Sequence, residues 1–190
     1  VSRIRKAIKP SRIFIITNKI HFYEVKAQIS RFKIPDENII LEPEGKNTAP
    51  AVGLCARLIS KVDTDAVVAV LPADHYIKDS KEFNRVLGRA VKCAKENLLM
   101  TIGVKPVAPS TGYGYIKVKG KIIKNKGYFG VEKFLEKPKL EKAREYVKGK
   151  DYYWNSGMFV WKASILLEEI RKYLPKLYAS LMQIHSADDI

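Results

Sequence analysis

No stretch of the chain approaches the roughly 18 to 20 consecutive apolar residues that a membrane-spanning helix needs, so no membrane partner is expected. The opening segment, Val1 to Pro10, is basic. It lacks an apolar run and a small-residue cleavage site behind it, so it is not expected to be a secretory leader. Cysteine is scarce. Cys55 and Cys93 lie inside helix-like patterns without CxxC spacing, and they read as small core residues of a protein in a reducing cytoplasm. Internal repeats and low-complexity linkers are absent, and no domain boundary is visible. Acids are also in short supply: 20 Asp and Glu stand against 35 Lys and Arg, for a net charge of +15. A charge of that size fits nucleic acid, an anionic membrane surface or a phosphorylated small molecule. The basic residues are spread along the chain and mixed with glutamate, and the densest run, Lys119 to Gly127, reads as a hairpin with an exposed turn. A solvated lysine-rich surface accounts for most of this charge. No recognition helix or exposed aromatic platform speaks for nucleic acid.

What is present is a patterned core. Hydrophobic residues make up 46% of the 190 positions, which suits one domain or a large piece of one. The runs Ile13 to Thr17, Asn38 to Leu41, Ala66 to Leu71 and Leu98 to Val104 read as buried strands. Helical spacing separates them over Phe22 to Phe32, Thr48 to Val62 and Lys81 to Lys95. In the second of these helices Val52, Cys55, Ala56, Ile59 and Val62 share one face, Asn47 or Thr48 can cap it, and Pro50 fits the first turn. Alternating strand and helix predicts an α/β fold: a Rossmann-like, mixed and mostly parallel sheet with helices on both faces. The second half changes character. Tyr113 to Lys119, Ile122 to Ile123 and Gly130 to Glu136 read as antiparallel ribbon. Leu140 to Lys148 reads as a helix and Trp154 to Trp161 as a returning strand, and Ile165 to Tyr173 and Lys176 to Ile184 close the chain as helices.

In such sheets ligands bind beyond the carboxyl ends of the strands. Several strands here deliver polar residues to that edge: Glu42-Pro43, Pro72-Ala73-Asp74-His75, Lys105-Pro106 and Glu136-Lys137-Pro138. Asp74, directly after a buried strand, reads either as an oxygen ligand for Mg²⁺ or as a turn and helix-cap residue. His75 reads as a ligand, a base or a structural residue that orients its loop. Gly112 and Gly114 flank Tyr113 in "TGYGYIK". Glycines let a backbone approach a ligand and a tyrosine can pack on a sugar face, although a β-turn before a strand uses the same residues. In "FLEKP" the carboxylate of Glu136 can accept sugar hydroxyls and Lys137 can neutralise a phosphate, or the two form a surface ion pair. Asn155 in "WNSGMF" offers an amide that both donates and accepts, or simply a turn beside core aromatics.

Taken together, "EPEGKNTAPAVGL", "VLPADHYI", "GVKPVAPSTGYGYI", "FLEKP" and "YYWNSGMFVWKA" stand in the order found in the mannose-1-phosphate guanylyltransferases, also called GDP-mannose pyrophosphorylases. The chain resembles that family from about Thr17 through Leu167. The resemblance implies a nucleotide-diphospho-sugar transferase fold, a cytoplasmic location, and the reaction of mannose 1-phosphate with GTP to give GDP-mannose and pyrophosphate, assisted by Mg²⁺. It implies that Glu42, Asn47 and Thr48 read the guanine and ribose and that Pro72 and Ala73 join the nucleotide site. Asp74 would hold the metal, and Gly112, Tyr113, Gly114, Glu136 and Asn155 would contact the mannose. Lys137 would sit on the sugar phosphate, so that Asp74 and Lys137 carry the catalytic charge. A homodimer is left open. The family's glycine-rich G-x-G-T-R-x-x-P loop does not precede Val1, and its second metal aspartate is not found before Ile190. The resemblance therefore implies the middle of a catalytic domain, truncated at both ends; the alternatives are that the 190 residues alone are a non-catalytic fragment, or that the chain is a related sugar-1-phosphate nucleotidyltransferase of other base or sugar specificity. Lys117 stands where the family often carries glutamate.

Overall fold

The computed structural model describes residues 1–5, 7–42, 48–120, 122–123 and 127–184. Its contacts fall into two compact units. The first comprises Val1–Val68, Ile77–Asn84 and Lys162–Ile190, and the second Ala69–Tyr76 and Arg85–Trp161.

In the first unit, β1 (Ile15–Asn18) and β2 (Ile39–Glu42) pair in parallel, with Ile15 opposite Ile39 and Asn18 opposite Glu42. Parallel neighbours need a crossover between them, and α1 (Phe22–Ile29) supplies it. The buried Asn38 fixes the entry to β2. Its Nδ2 donates to the Ser11 carbonyl at 3.1 Å and to the Ile13 carbonyl at 3.0 Å, which satisfies backbone groups that burial would otherwise leave unpaired. The helix α2 spans Thr48–Val62, the bounds its periodicity predicts. Leu54, Cys55 and Ala56 of α2 join Ile40 of β2 in one core with Ala163, Leu167 and Ile170 of α5 (Ala163–Tyr173) and Leu181 of α6 (Pro175–Gln183). Gly53 lets these helices close up: a Cβ there would lie 2.8 Å from Cδ1 of Leu181 and 3.1 Å from Cδ1 of Ile170. One expected face residue departs from this core. Val62 is 91% exposed, because the helix ends on it beyond the packed turns.

Burial pushes the Cys55 thiol up to about 12, with the nearby charge of Glu42 adding to the effect. The thiol of the unfolded chain ionises from about 9.0 while the folded one stays neutral, so this contribution to stability is present below that pH and fades as pH rises toward 12. The stability difference between the parent and Cys55→Ala is expected to shrink by about 1.4 kcal/mol for each pH unit above 9. Urea unfolding of the pair at a series of alkaline pH values reads it.

In the second unit β7 (Tyr152–Lys162) is the strand around which the others gather. The sheet order is β3 (Val67–Val70, of which Ala69 and Val70 fall in this unit), β7, β5 (Tyr115–Lys119), β6 (Gly130–Leu135), with β4 (Met100–Val104) also on β7. The β4–β7, β5–β7 and β5–β6 pairs are antiparallel. Together with the parallel β1–β2 pair this makes the chain mixed α/β, the class its pattern predicts. That β4 runs antiparallel to β7 is set by a partner some fifty residues further along the chain, which local alternation cannot specify. The ribbon is where it was expected, but Ile122 and Ile123 lie outside the strands. The Ile123 N–H instead donates to the Tyr128 carbonyl at 2.8 Å.

The helix α3 (Ser80–Ala94) buries Phe83, Leu87, Ala90, Cys93 and Ala94 along one face. Asp79 Oδ1 caps it by accepting from the N–H groups of Lys81 and Glu82. In α4 (Leu140–Lys148) Tyr146 packs its ring on Tyr115 at 5.1 Å and stacks on Tyr152 at 4.4 Å. Among the described residues no helix is long and apolar enough to cross a membrane.

Candidate active site

The register of the second unit decides which of the expected residues meet. Tyr115 stands opposite Leu135 on one side and Trp154 on the other. One residue further, at the mouth of the strands, Gly114 therefore falls between Glu136 and Asn155. The Asn155 N–H donates to the Gly114 carbonyl at 2.8 Å and closes that row. Gly103 of β4 lies opposite Asn155 on its other side. A Cβ on Gly114 would come within 3.3 Å of the Leu135 carbonyl and 3.8 Å of Asn155 Cβ. The bare Cα leaves the floor open between a carboxylate and an amide. Glu136, Gly114 and Asn155, proposed separately from three motifs, thus share one row.

The loop before β5 is fastened at several points. The phenol of the fully buried Tyr115 donates to the Ser110 carbonyl at 3.0 Å, and Ser110 Oγ accepts from the Gly112 N–H at 3.2 Å. Tyr113, 53% exposed, sets its ring edge-on to Trp154, with centroids 5.2 Å apart and planes at 61°. A backbone pinned this way presents Gly112, Tyr113 and Gly114 in one conformation, which lowers the ordering a ligand must impose.

Asn155 is held by its own loop: Oδ1 accepts from the Gly157 N–H at 3.1 Å. Gly157 has φ +66°, a left-handed conformation that glycine adopts without strain. A Cβ on Gly157 would lie 3.5 Å from Pro72 Cγ, so the exit of β3 runs beside Asn155–Gly157. Ser156 points the other way. It is buried, its Oγ donates to the Ile102 carbonyl at 2.5 Å, and it fixes β7 against β4. Beyond Pro72, Ala73 and Asp74 are exposed, and the Asp74 carboxylate has no hydrogen bond or ion pair among the described residues. Glu136 and Lys137 are exposed beyond the end of β6.

Among the described residues no group of three or more His, Cys, Asp or Glu side chains could hold a metal ion. Mg²⁺ needs only one or two carboxylates when phosphate oxygens and water complete its shell. Asp74 fits that requirement as a single protein ligand on a strand exit.

In the first unit Glu42 is the last residue of β2, half-buried, and Thr48 is the first of α2, exposed. Asn47 lies outside the described residues. Lys117 is three positions along β5 from Gly114, and its Nζ is bound to Glu132 at 2.9 Å. The hydrogen bond from Lys117 to Glu132 holds the ammonium pKa above the ordinary lysine value. Sequence reasoning missed Ser110, Trp154 and Gly157. Ser110 carries a readable signal, a serine two positions before a glycine in a turn, whereas the other two depend on which strands become neighbours.

The nucleotidyl transferase family model matches residues 2–189. The alginate biosynthesis protein AlgA of Pseudomonas fluorescens is 41% identical over 164 residues, which cover 86% of this chain and 34% of that protein. Mannose-1-phosphate guanylyltransferase of Escherichia coli (strain K12) is 40% identical over 180 residues, covering 92% and 37% respectively. The chain thus spans about a third of the length of these curated relatives. The crystal structure of mannose-1-phosphate geranyltransferase from Thermus thermophilus superposes with a TM-score of 0.82 at 27% identity, over 99% of this chain and 54% of that one. With its matched length and its mixed α/β fold, the chain belongs to the nucleotidyl transferase family.

Proposed function

We propose that the protein carrying this chain joins mannose 1-phosphate to GTP, giving GDP-mannose and pyrophosphate. The observation that carries the reading is the row Glu136, Gly114, Asn155 at the mouth of the sheet, with Pro72, at the exit of β3 that leads on to Asp74, next to Gly157. A carboxylate and an amide on either side of a bare glycine suit a polyhydroxylated ring: the acid accepts from hydroxyls and the amide both accepts and donates. A relative named for this activity supports the choice of substrates.

In the proposed reaction an oxygen of the sugar phosphate attacks the α-phosphorus of GTP in line. The bond from that phosphorus to the bridging oxygen breaks, and pyrophosphate leaves with the electron pair. The protein forms no covalent bond, so its work is positioning and charge neutralisation. Nucleotidyl transferases of this family generally use a divalent metal. Bound Mg²⁺, held by Asp74 and the phosphates, would offset the charge developing on the departing pyrophosphate. Lys137 would neutralise the sugar phosphate and lower its repulsion toward GTP. Glu136, Asn155 and the segment 112–114 would fix the ring. Glu42, Asn47 and Thr48 would read guanine and ribose, with Pro72 and Ala73 lining the nucleotide beside Asp74. The free, buried Cys55 and Cys93 suit a reducing cytoplasm as the site of this work.

The test is turnover by the full-length protein with Mg²⁺, following pyrophosphate release and the sugar nucleotide formed. GTP with mannose 1-phosphate is expected to exceed UTP, dTTP or glucose 1-phosphate pairings by at least tenfold in kcat/KM. Equal use of all nucleotides would overturn the choice of base, and absence of any sugar nucleotide would overturn the reaction.

A further inference from the structure

We infer that Trp154 is a positioning residue for the sugar phosphate, acting through Tyr113; the inference rests on the sugar site proposed above. Trp154 lies on β7 with strands on both sides of it, Tyr115 opposite on β5 and Val104 opposite on β4. Its backbone is therefore fixed by the middle of the sheet. Tyr113 is its counterpart, a half-exposed ring between Gly112 and Gly114, neither of which has a side chain to restrain it. The ring contact found for Tyr113 is the edge-on packing against Trp154 at 5.2 Å. Such pairs are directional as well as apolar, because the positive ring edge of one meets the negative face of the other. Trp154 thereby fixes the tilt of the Tyr113 ring, and with it the backbone that leads directly into Gly114 of the row.

The indole itself is ill-suited to being a mere filler. Its Nε1 is buried without a hydrogen-bond partner among the described residues. Leaving a buried donor unsatisfied opposes folding, and phenylalanine would remove that penalty while keeping an aromatic ring. Of the aromatic side chains, tryptophan has the largest ring and the most negative face for such a tilted pair.

The test uses the full-length protein, with mannose 1-phosphate, glucose 1-phosphate and GTP as probes in calorimetric titrations and steady-state kinetics. Trp154→Leu is expected to weaken mannose 1-phosphate binding and raise its KM by roughly three- to tenfold. The Kd for GTP and kcat stay unchanged, and Trp154→Phe recovers most of the loss. Tyr113→Ala changes an exposed side chain and will fold. In that background Trp154→Leu is expected to add nothing, because both changes remove one interaction. A full additional loss in the double variant would overturn the inference. Equal damage to GTP binding, unchanged sugar-phosphate binding, or no binding of either hexose 1-phosphate by the parent would do so too. Trp154-dependent binding of sugar phosphates without sugar-nucleotide formation would uphold this role and sink the proposed reaction. Sugar-nucleotide formation that ignores Trp154 would do the reverse.

Discussion

Asp74→Asn in the full-length protein is expected to lower kcat for sugar-nucleotide formation by about 10²- to 10³-fold, the range found when one preorganised electrostatic group is removed. The substitution is nearly isosteric. Asp74 is exposed beyond β3 and holds no partner among the described residues. Its stability effect should therefore stay within about 0.5 kcal/mol, as for surface positions without special contacts. The expected loss is thus confined to charge. Asparagine keeps one oxygen but not the negative charge a divalent cation needs, and raising Mg²⁺ should recover part of the rate through weaker binding. Kinetics across a Mg²⁺ titration, with a thermal melt of the same samples, separate these terms. Unchanged turnover at saturating Mg²⁺ would remove Asp74 from the site.

The second large effect concerns folding. Tyr115→Ala is expected to cost about 3–5 kcal/mol, the usual range for truncating a buried aromatic. Tyr115 is fully buried, its ring lies on Tyr146, and its phenol holds the Ser110 carbonyl. For a domain whose total stability is on the order of 5–15 kcal/mol, that is a severe loss. Tyr115→Phe isolates the hydroxyl and should cost about 1 kcal/mol, since the ring stays and only the Ser110 bond is lost. Chemical denaturation of the three proteins gives both numbers. A Phe variant as damaged as the Ala variant would show that the bond to Ser110, not ring packing, dominates.

The legible and illegible parts of the sequence divide along one physical line. Periodicity within a segment was readable: α2 and α4 fall on their expected bounds because apolar spacing and helix ends are local properties. The mixed α/β class followed from the order of such segments. The site residues could be nominated from chemistry and motif order, since acids, amides and glycines at strand exits are visible in one dimension. Which of them become neighbours was not visible. That Gly114 falls between Glu136 and Asn155 depends on antiparallel registers joining segments up to about forty residues apart. The same dependence hid Gly157, whose positive φ matters because Pro72 arrives beside it. It also hid the tie between Lys117 and Glu132, which forms where the β5–β6 register shifts between Lys117 and Val118.

The strand β6 ends the sheet order and carries exposed apolar side chains, Val131 at 42% and Phe134 at 55%. An edge of this kind invites a second copy to add itself strand to strand. Two identical edges that join antiparallel about a two-fold axis must set some residue directly opposite itself. If most of Gly130–Leu135 is to pair, that residue is Glu132 or Lys133, which sit at the centre of the strand. Like charges opposed across neighbouring strands repel, and sliding further to avoid them leaves much of the strand unpaired. Two adjacent residues of opposite sign thus protect the edge from its own duplicate in either central alignment, while a foreign strand of different sequence meets no such barrier.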